Sequence, residues 1–288
     1  VNATDTISTL WAAGQRLPRL QRGECYTSAS SAHPAKMWPD IARHAIAAYS
    51  EPGEVVVDPM CGIGTVCVEA VRLGRRAWGL DCEPEWVATT AANLHLTRRH
   101  HPGIEARVRR GDARRLAANL PRALRGNVDL IVTSPPYGRA THGRAYTHRE
   151  TGGKIAKTAY RYSTGKPAPE QLARAGLERL LDGIEQILTA CHAVLKPTGR
   201  LIVTCRPFNV GGRLLDFPSE LALRGERAGF RLEERCAALL AEWRDDFGLR
   251  PIHSFFGLHN TRTALESGKP AFLRCHEDVL VLTKDGAP

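Results

Sequence analysis

The segment Asp58-Pro59-Met60-Cys61-Gly62-Ile63-Gly64-Thr65 constrains this chain more than any other. It follows the β-branched run Val55-Val56-Val57 and leads into a helical pattern from Thr65 to Leu73, closed by Gly74. A strand that enters a glycine turn and leaves as a helix begins a βαβ unit, whose two strands lie parallel. Further short apolar runs recur at Ala77 to Leu80, Ala106-Arg107-Val108, Leu130-Ile131-Val132 and Leu201-Ile202-Val203. Helical patterns alternate with them: Pro84 suits the first turn of a helix over 85–98, and the apolar positions from Leu177 to Leu195 recur at helical spacing. The prediction is an α/β fold, a mostly parallel sheet with helices on both faces. At 288 residues the chain suits one such domain with appendages.

The glycine turn also carries chemistry. Asp81 lies nineteen residues after Gly62 at the end of the second strand, where an acid can accept both hydroxyls of a ribose. A pyrophosphate cofactor wants a third glycine near the helix start, and Val66 and Cys67 stand there instead. A nucleoside cofactor without phosphate is the better match, with Asp58, Pro59, Cys61, Gly62, Gly64 and Thr65 forming its turn. Asp112, after the third strand, is positioned to accept from an adenine amino group, or to cap the helix that follows. Upstream, His33-Pro34-Ala35-Lys36-Met37-Trp38-Pro39 precedes a helix from about Asp40 to Tyr49; His33 and Lys36 are candidates to hold a carboxylate, unless the segment is merely a helix entry.

Just past the fourth strand stands Thr133-Ser134-Pro135-Pro136-Tyr137-Gly138, at the sheet end where ligands of such folds bind. Two consecutive prolines lock the backbone, so the Ser134 hydroxyl and the Pro135 carbonyl are fixed acceptors for one amino group. An aromatic amine is a poor nucleophile because its lone pair is delocalised into the ring. Two acceptors binding its hydrogens favour pyramidalisation and aim that lone pair. Tyr137 offers a face for an extruded base.

Composition agrees with an anionic partner. Forty Lys and Arg against thirty Asp and Glu give a formal charge of +10. The 138–169 segment holds seven Lys/Arg, five Gly and three Tyr against one acid, and reads as a long loop touching nucleic acid through Arg139, Arg144, Lys154, Lys157 and Arg161. The eight cysteines include no C-x-x-C pair, and no metal site is expected. No membrane span or signal peptide is apparent, so a cytoplasmic location is expected and the oligomeric state is open. We divide the chain into a 1–32 extension and a 33–288 domain, with insertions at 138–169 and 243–276.

Together these motifs resemble the S-adenosylmethionine-dependent amino-methyltransferases of DNA, of the cytosine-N4 and adenine-N6 type. The resemblance covers roughly 33–206 and the closing strand His276 to Leu280. It implies the seven-stranded class I methyltransferase fold, a last strand returning antiparallel at the sheet edge, and S-adenosylmethionine as cofactor. It also assigns 33–39 to the cofactor's methionine end and Ser134, Pro135, Pro136 and Tyr137 to catalysis. Ser at 134 is the variant associated with cytosine N4, so DNA ranks ahead of RNA as partner. The Asp58 to Gly62 turn with Pro135 to Gly138 is also similar to tRNA and rRNA guanine-N2 methyltransferases, the second expectation, although these favour Asp or Asn at 134. Protein glutamine methylation ranks third, and a non-catalytic nucleic-acid-binding protein on this fold is the rival of a different class. Carbon methylation needs a cysteine after a proline, and none of the eighteen prolines has one.

Overall fold

The computed structural model describes residues 8–138, 163, 166–210, 213–245, 248–252, 255–268 and 271–284. The first half contains β1 (Leu10–Trp11), α1 (Pro18–Arg22), α2 (Pro39–Tyr49), β2 (Val55–Asp58), α3 (Thr65–Arg72), β3 (Arg76–Asp81), α4 (Pro84–His100), β4 (Ala106–Arg110), α5 (Leu116–Asn119) and β5 (Val128–Thr133). The second contains α6 (Leu177–Val194), β6 (Leu195–Cys205), β7 (Phe208–Val210), β8 (Arg213–Leu215), α7 (Phe217–Arg227), β9 (Phe230–Leu239), β10 (Ala241–Arg244), β11 (Gly248–Pro251), α8 (Phe255–Glu266) and β12 (His276–Lys284).

Eight strands form one sheet in the order β1-β9-β12-β6-β5-β2-β3-β4. The chain runs outward from β2 to β3 and β4, then returns to β5 and β6 on the other side, with β5, β2, β3 and β4 all parallel. This reversal opens a crevice at the carboxyl ends of β2 and β5, the place where ligands bind in open α/β sheets. The glycine turn follows β2, and Ser134 follows β5.

Local sequence explains the elements that frame this crevice. Strands β2 and β5 are buried on both faces, hence their near-continuous Val/Ile/Leu runs. Helix α3 is buried from Thr65 to Val71, so even Glu69 lies inside, held by Arg43 (2.8 Å) and Arg72 (3.1 Å) and accepting from the Tyr26 hydroxyl (3.2 Å). Pro39 and Pro84 open α2 and α4, where a missing N–H costs no helical bond. Apolar clusters cover both sheet faces, one centred on α6 and α7, the other on α2 and α3.

Two features differ from expectation. The antiparallel return strand β12 runs inside the sheet, paired with β6 on one side and β9 on the other. Its sequence Val279-Leu280-Val281-Leu282 is buried on both faces, as a central strand must be. The edge is instead taken by β1, parallel to β9, which makes eight strands rather than seven and seats Trp11 in the core. Residues of the 1–32 segment thus belong physically to the domain's sheet. In the 243–276 segment, β10 pairs with β11 as a hairpin that α8 follows. Among the described residues, no helix is long and apolar enough to cross a membrane.

Candidate active site

Two glycines of the turn after β2 adopt left-handed backbone, Gly62 at φ +52° and Gly64 at φ +79°. A Cβ on Gly64 would stand 2.5 Å from Thr90 Cγ2, and one on Gly62 would stand 3.1 Å from Nε2 of His33. The turn is then held from α4: the Thr90 hydroxyl donates to the Gly62 carbonyl (2.7 Å), and the Asn93 amide donates to the Ile63 carbonyl (2.8 Å). Asn93 also accepts from the Thr27 N–H (2.8 Å), which ties the N-terminal segment to the turn. Thr90 and Asn93 are supports that sequence reasoning missed, since polar residues inside a helix give no signal until their partners are known.

At the end of β3, Asp81 accepts from the Gly62 N–H through one oxygen and from the Glu83 N–H through the other, each at 2.9 Å. Each oxygen keeps a further acceptor site toward the crevice. Asp58 is buried, and its Oδ1 accepts from the Thr133 hydroxyl at 2.8 Å and from the Met60 N–H at 3.1 Å. That Thr133 bond fastens the end of β5 to the end of β2 and fixes where Ser134 begins. Burial pushes the Asp58 carboxyl up to about 7, against those two hydrogen bonds, and the Asp81 carboxyl up to about 6.

His33 is buried edge-on to Trp86, with ring centroids 4.5 Å apart. Its Nδ1 accepts from the Ala35 N–H (3.2 Å), and burial, with Lys36 nearby, pushes it down to about 3, so the ring is neutral at physiological pH. The Lys36 ammonium donates to the carbonyls of His33 (2.6 Å) and Ser31 (3.1 Å), and burial lowers it to about 8. Asp112 caps the short turn after β4 through the Arg114 N–H (3.0 Å), pairs with the Arg114 guanidinium and lines the crevice. Cys61 is buried with its thiol pushed up, consistent with packing. All eight cysteines are free, and among the described residues no group of three or more His, Cys, Asp or Glu is placed to hold a metal.

One cleft of about 1190 Å³ brings these groups together with the proline motif. His33, Lys36, Asp58, Pro59, Cys61, Gly62, Thr65, Asp81, Asp112, Ser134, Pro135, Pro136 and Tyr137 all line it; Gly64 lies behind, shaping the turn. Tyr137 departs from its expected role as an open stacking face. Its ring is 9% exposed, packs against Phe208 and Phe217 at centroid distances of 5.5 and 5.4 Å, and has the Arg206 guanidinium 5.8 Å from its centroid. Arg139, Arg144, Lys154, Lys157 and Arg161 lie outside the described residues. The cleft also recruits Glu83, Gln171, Arg206, Arg274 and Glu277, which the sequence reading did not single out.

The residues fit S-adenosylmethionine. The left-handed turn leaves a Cβ-free cradle, Asp81 retains acceptors for hydroxyl groups, and two carboxylates facing one cavity favour a sulfonium over a phosphate. When bound, this cofactor supplies an electrophilic methyl group.

Comparison with known proteins agrees. Residues 2–92 match the family described as DNA methylase. The chain is 33% identical over 110 residues to a tRNA (guanine(10)-N2)-dimethyltransferase from Methanocaldococcus jannaschii, covering 38% of this chain and 31% of that protein. It is 36% identical over 107 residues to the protein of the same description from Methanothermobacter thermautotrophicus, covering 37% and 29%. The chain thus spans under a third of the length of these relatives. Among solved structures, it superposes on a precorrin-6y C5,15-methyltransferase from Geobacter metallireducens with a TM-score of 0.51 at 12% identity, covering 96% of this chain and all of that one. That likeness concerns the fold, which is the class I methyltransferase fold. By fold the chain is of the class I methyltransferase type, and in its motifs and partial matches it is similar to amino-methyltransferases of DNA and RNA.

Proposed function

We propose that this chain transfers the methyl group of S-adenosylmethionine to an exocyclic amino nitrogen of a nucleic-acid base, with guanine N2 in RNA as the first substrate. The observation that carries the reaction class is the single cleft joining the glycine turn and Asp81 to Ser134 and Pro135, with Thr133 bonded to Asp58 between them. Asp81 and the turn hold the cofactor's nucleoside, and Asp58 adds negative charge beside them. Ser134 and the Pro135 carbonyl accept the two hydrogens of the amine and point its lone pair into the cleft. A serine hydroxyl is too weak a base to remove the proton first, so proton loss accompanies or follows transfer.

The choice of guanine N2 reverses the order suggested by Ser134, and it rests on the activity of the two tRNA relatives. Cytosine N4 in DNA stays as the second reading, favoured by Ser134 itself and by the DNA methylase match. The test is transfer of labelled methyl groups from S-adenosylmethionine to unmodified tRNA transcripts and to unmethylated duplex and single-stranded DNA, with mass spectrometry of the released nucleosides. N2-methylguanosine is the expected product; N4-methyldeoxycytidine would replace it with the second reading. Label in neither acceptor would overturn the nucleic-acid assignment.

A further inference from the structure

The wall of the cleft opposite the cofactor turn carries charges that the proposed reaction has not used. Strands β5 and β6 are parallel with Thr133 opposite Val203, and β6 and β12 pair Cys205 with Asp278. Arg206, just past β6, and Glu277, at the start of β12, therefore lie on adjacent strands at the sheet end that presents Ser134 to Tyr137. Strands lie about 4.8 Å apart, so Arg206 stands one strand and Glu277 two strands from the amine-binding motif, roughly 5 and 10 Å along the sheet. Arg274, on the segment entering β12, lines the same cleft.

Their neighbours are accounted for in an instructive way. Asp278 is taken by Arg235 at 2.9 Å, and Asp216 lies 3.7 Å from that same arginine. The side chains of Arg206, Arg274 and Glu277 form no hydrogen bond or ion pair among the described residues; Arg206 has the Tyr137 ring beneath it. All three are half-buried. Arg274 is held below the ordinary arginine range by burial and by Arg206, while Glu277 is raised by burial and pulled back by Arg206. Two guanidinium groups near each other on a partly desolvated wall, without a carboxylate at contact distance, are electrostatically unfinished. With Glu277 ionised, the group sums to one positive charge.

We propose that Arg206 and Arg274 clamp a phosphodiester of the target strand beside the nucleotide whose base enters the cleft, and that Glu277 trims the clamp to the single negative charge of that linkage. The proposal rests on the nucleic-acid reading above. It gives Arg206 and Arg274 a substrate-positioning role independent of residues 139–162. Phosphate contacts fix register and orientation while leaving base choice to other groups. The clamp would therefore hold the strand while Ser134 and Pro135 select the amine.

The test uses the full chain, an unmodified tRNA transcript with an unmethylated DNA strand in parallel, and the variants Arg206→Gln, Arg274→Gln, the double variant and Glu277→Gln. Each arginine variant should weaken acceptor binding on the order of tenfold and lower the slope of log affinity against log salt by about one, with S-adenosylmethionine affinity and melting temperature unchanged. Glu277→Gln should tighten acceptor binding. Phosphate-ethylation interference adds a readout that a merely structural role would not move: the wild type should be blocked by ethylation of a phosphate flanking the target, and the double variant should be indifferent to it. Unchanged acceptor affinity and salt slope in the double variant would overturn the clamp and leave the methyltransferase reading standing. Reduced S-adenosylmethionine affinity would also overturn it, by giving the arginines to the cofactor's carboxylate. A wild-type chain that neither binds nor methylates nucleic acid would instead remove the functional reading, and the clamp with it.

Discussion

The two walls of the cleft are built on different principles. On the cofactor side, nearly every polar group is already engaged: Gly62 with Asp81, Thr90 with the Gly62 carbonyl, Asn93 with Ile63, Thr133 with Asp58. Such a site is preorganised, and its ligand meets donors and acceptors that need little rearrangement. On the far side, Arg206, Arg274 and Glu277 stand without polar partners among the described residues, and Leu214 and Phe272 at the margin are exposed at 63% and 87%. The cofactor wall binds by shape that exists beforehand. On the proposed reading, the substrate wall is completed by its ligand.

The largest effect should come where the two walls meet. Replacing Ser134 by Ala removes one of the two acceptors of the amine, and we expect single-turnover methyl transfer to fall by about ten- to a thousandfold. S-adenosylmethionine affinity should stay within about twofold in the same experiment. An unchanged rate would leave Pro135 as the sole acceptor. A parallel loss of cofactor affinity would make the two walls one unit and erase the contrast.

The contrast also explains what the sequence could reveal. The cofactor wall is contiguous in the chain: Asp58 to Thr65 and Asp81 fall within one βαβ unit, so spacing alone was enough to place them together at one end of the sheet. Ser134 to Tyr137 follow a core strand directly, and two prolines in a row announced a fixed backbone. Arg206, Arg274 and Glu277 come from separate segments and meet only because β12 runs between β6 and β9. The sequence pointed to an antiparallel return strand yet placed it at the edge, so this juxtaposition was invisible. Tyr137 was legible by position but not by environment, because Phe208 and Phe217 come from later in the chain. Glu83 lay in plain view two residues after Asp81, with nothing local to show that its partners are Ala168 and Gln171.

Next in size is the ribose acceptor. Asp81→Asn keeps one oxygen but loses the charge, and the affinity for S-adenosylmethionine should drop by about ten- to a hundredfold in calorimetry, corresponding to roughly 1.5 to 3 kcal/mol for a charge-assisted hydrogen bond. Acceptor binding measured without cofactor should hold. If both ligands weaken together, the cofactor wall is not the independent, preformed half described above.

A smaller effect should appear as pH dependence. Burial raises Asp58 from 3.8 to about 7 and Asp81 from 3.8 to about 6, so the native state holds protons that the unfolded chain releases. Their contribution to stability is therefore present below the unfolded value and is lost as pH rises through about 6 to 7. Over the same window the ionised carboxylates should come to favour a sulfonium. The ratio of S-adenosylmethionine to S-adenosylhomocysteine affinity should increase several-fold between about pH 5.5 and 8, because only the former carries the positive charge. Asp58→Asn should flatten the rise. A ratio that is flat in the wild type would mean that neither carboxylate faces the sulfonium.

The smallest effect concerns the residue that joins the two walls. Glu83 is buried beside Asp81, whose Oδ1 accepts from its N–H, and its own carboxylate accepts from the Ala168 N–H at 3.1 Å and from the Gln171 side-chain amide. One residue thus links the cofactor turn to the chain returning from the 138–169 segment. Both donors share Oε1, so Glu83→Gln, nearly isosteric, keeps one oxygen for them but removes the charge that strengthens both bonds. S-adenosylmethionine affinity should change by less than about threefold, since the Asp81 acceptors remain, while KM for the nucleic-acid acceptor should rise by about three- to tenfold as two charge-assisted hydrogen bonds become neutral ones. Gln171→Glu in the Glu83→Gln background exchanges donor and acceptor and should recover part of that KM. Rescue by the swap separates a positioning link from general loosening of the fold, which no exchange of partners would repair. If Glu83→Gln instead lowers cofactor affinity and leaves KM for the acceptor unchanged, Glu83 belongs to the cofactor wall alone and the two halves of the cleft are joined only through Thr133 and Asp58.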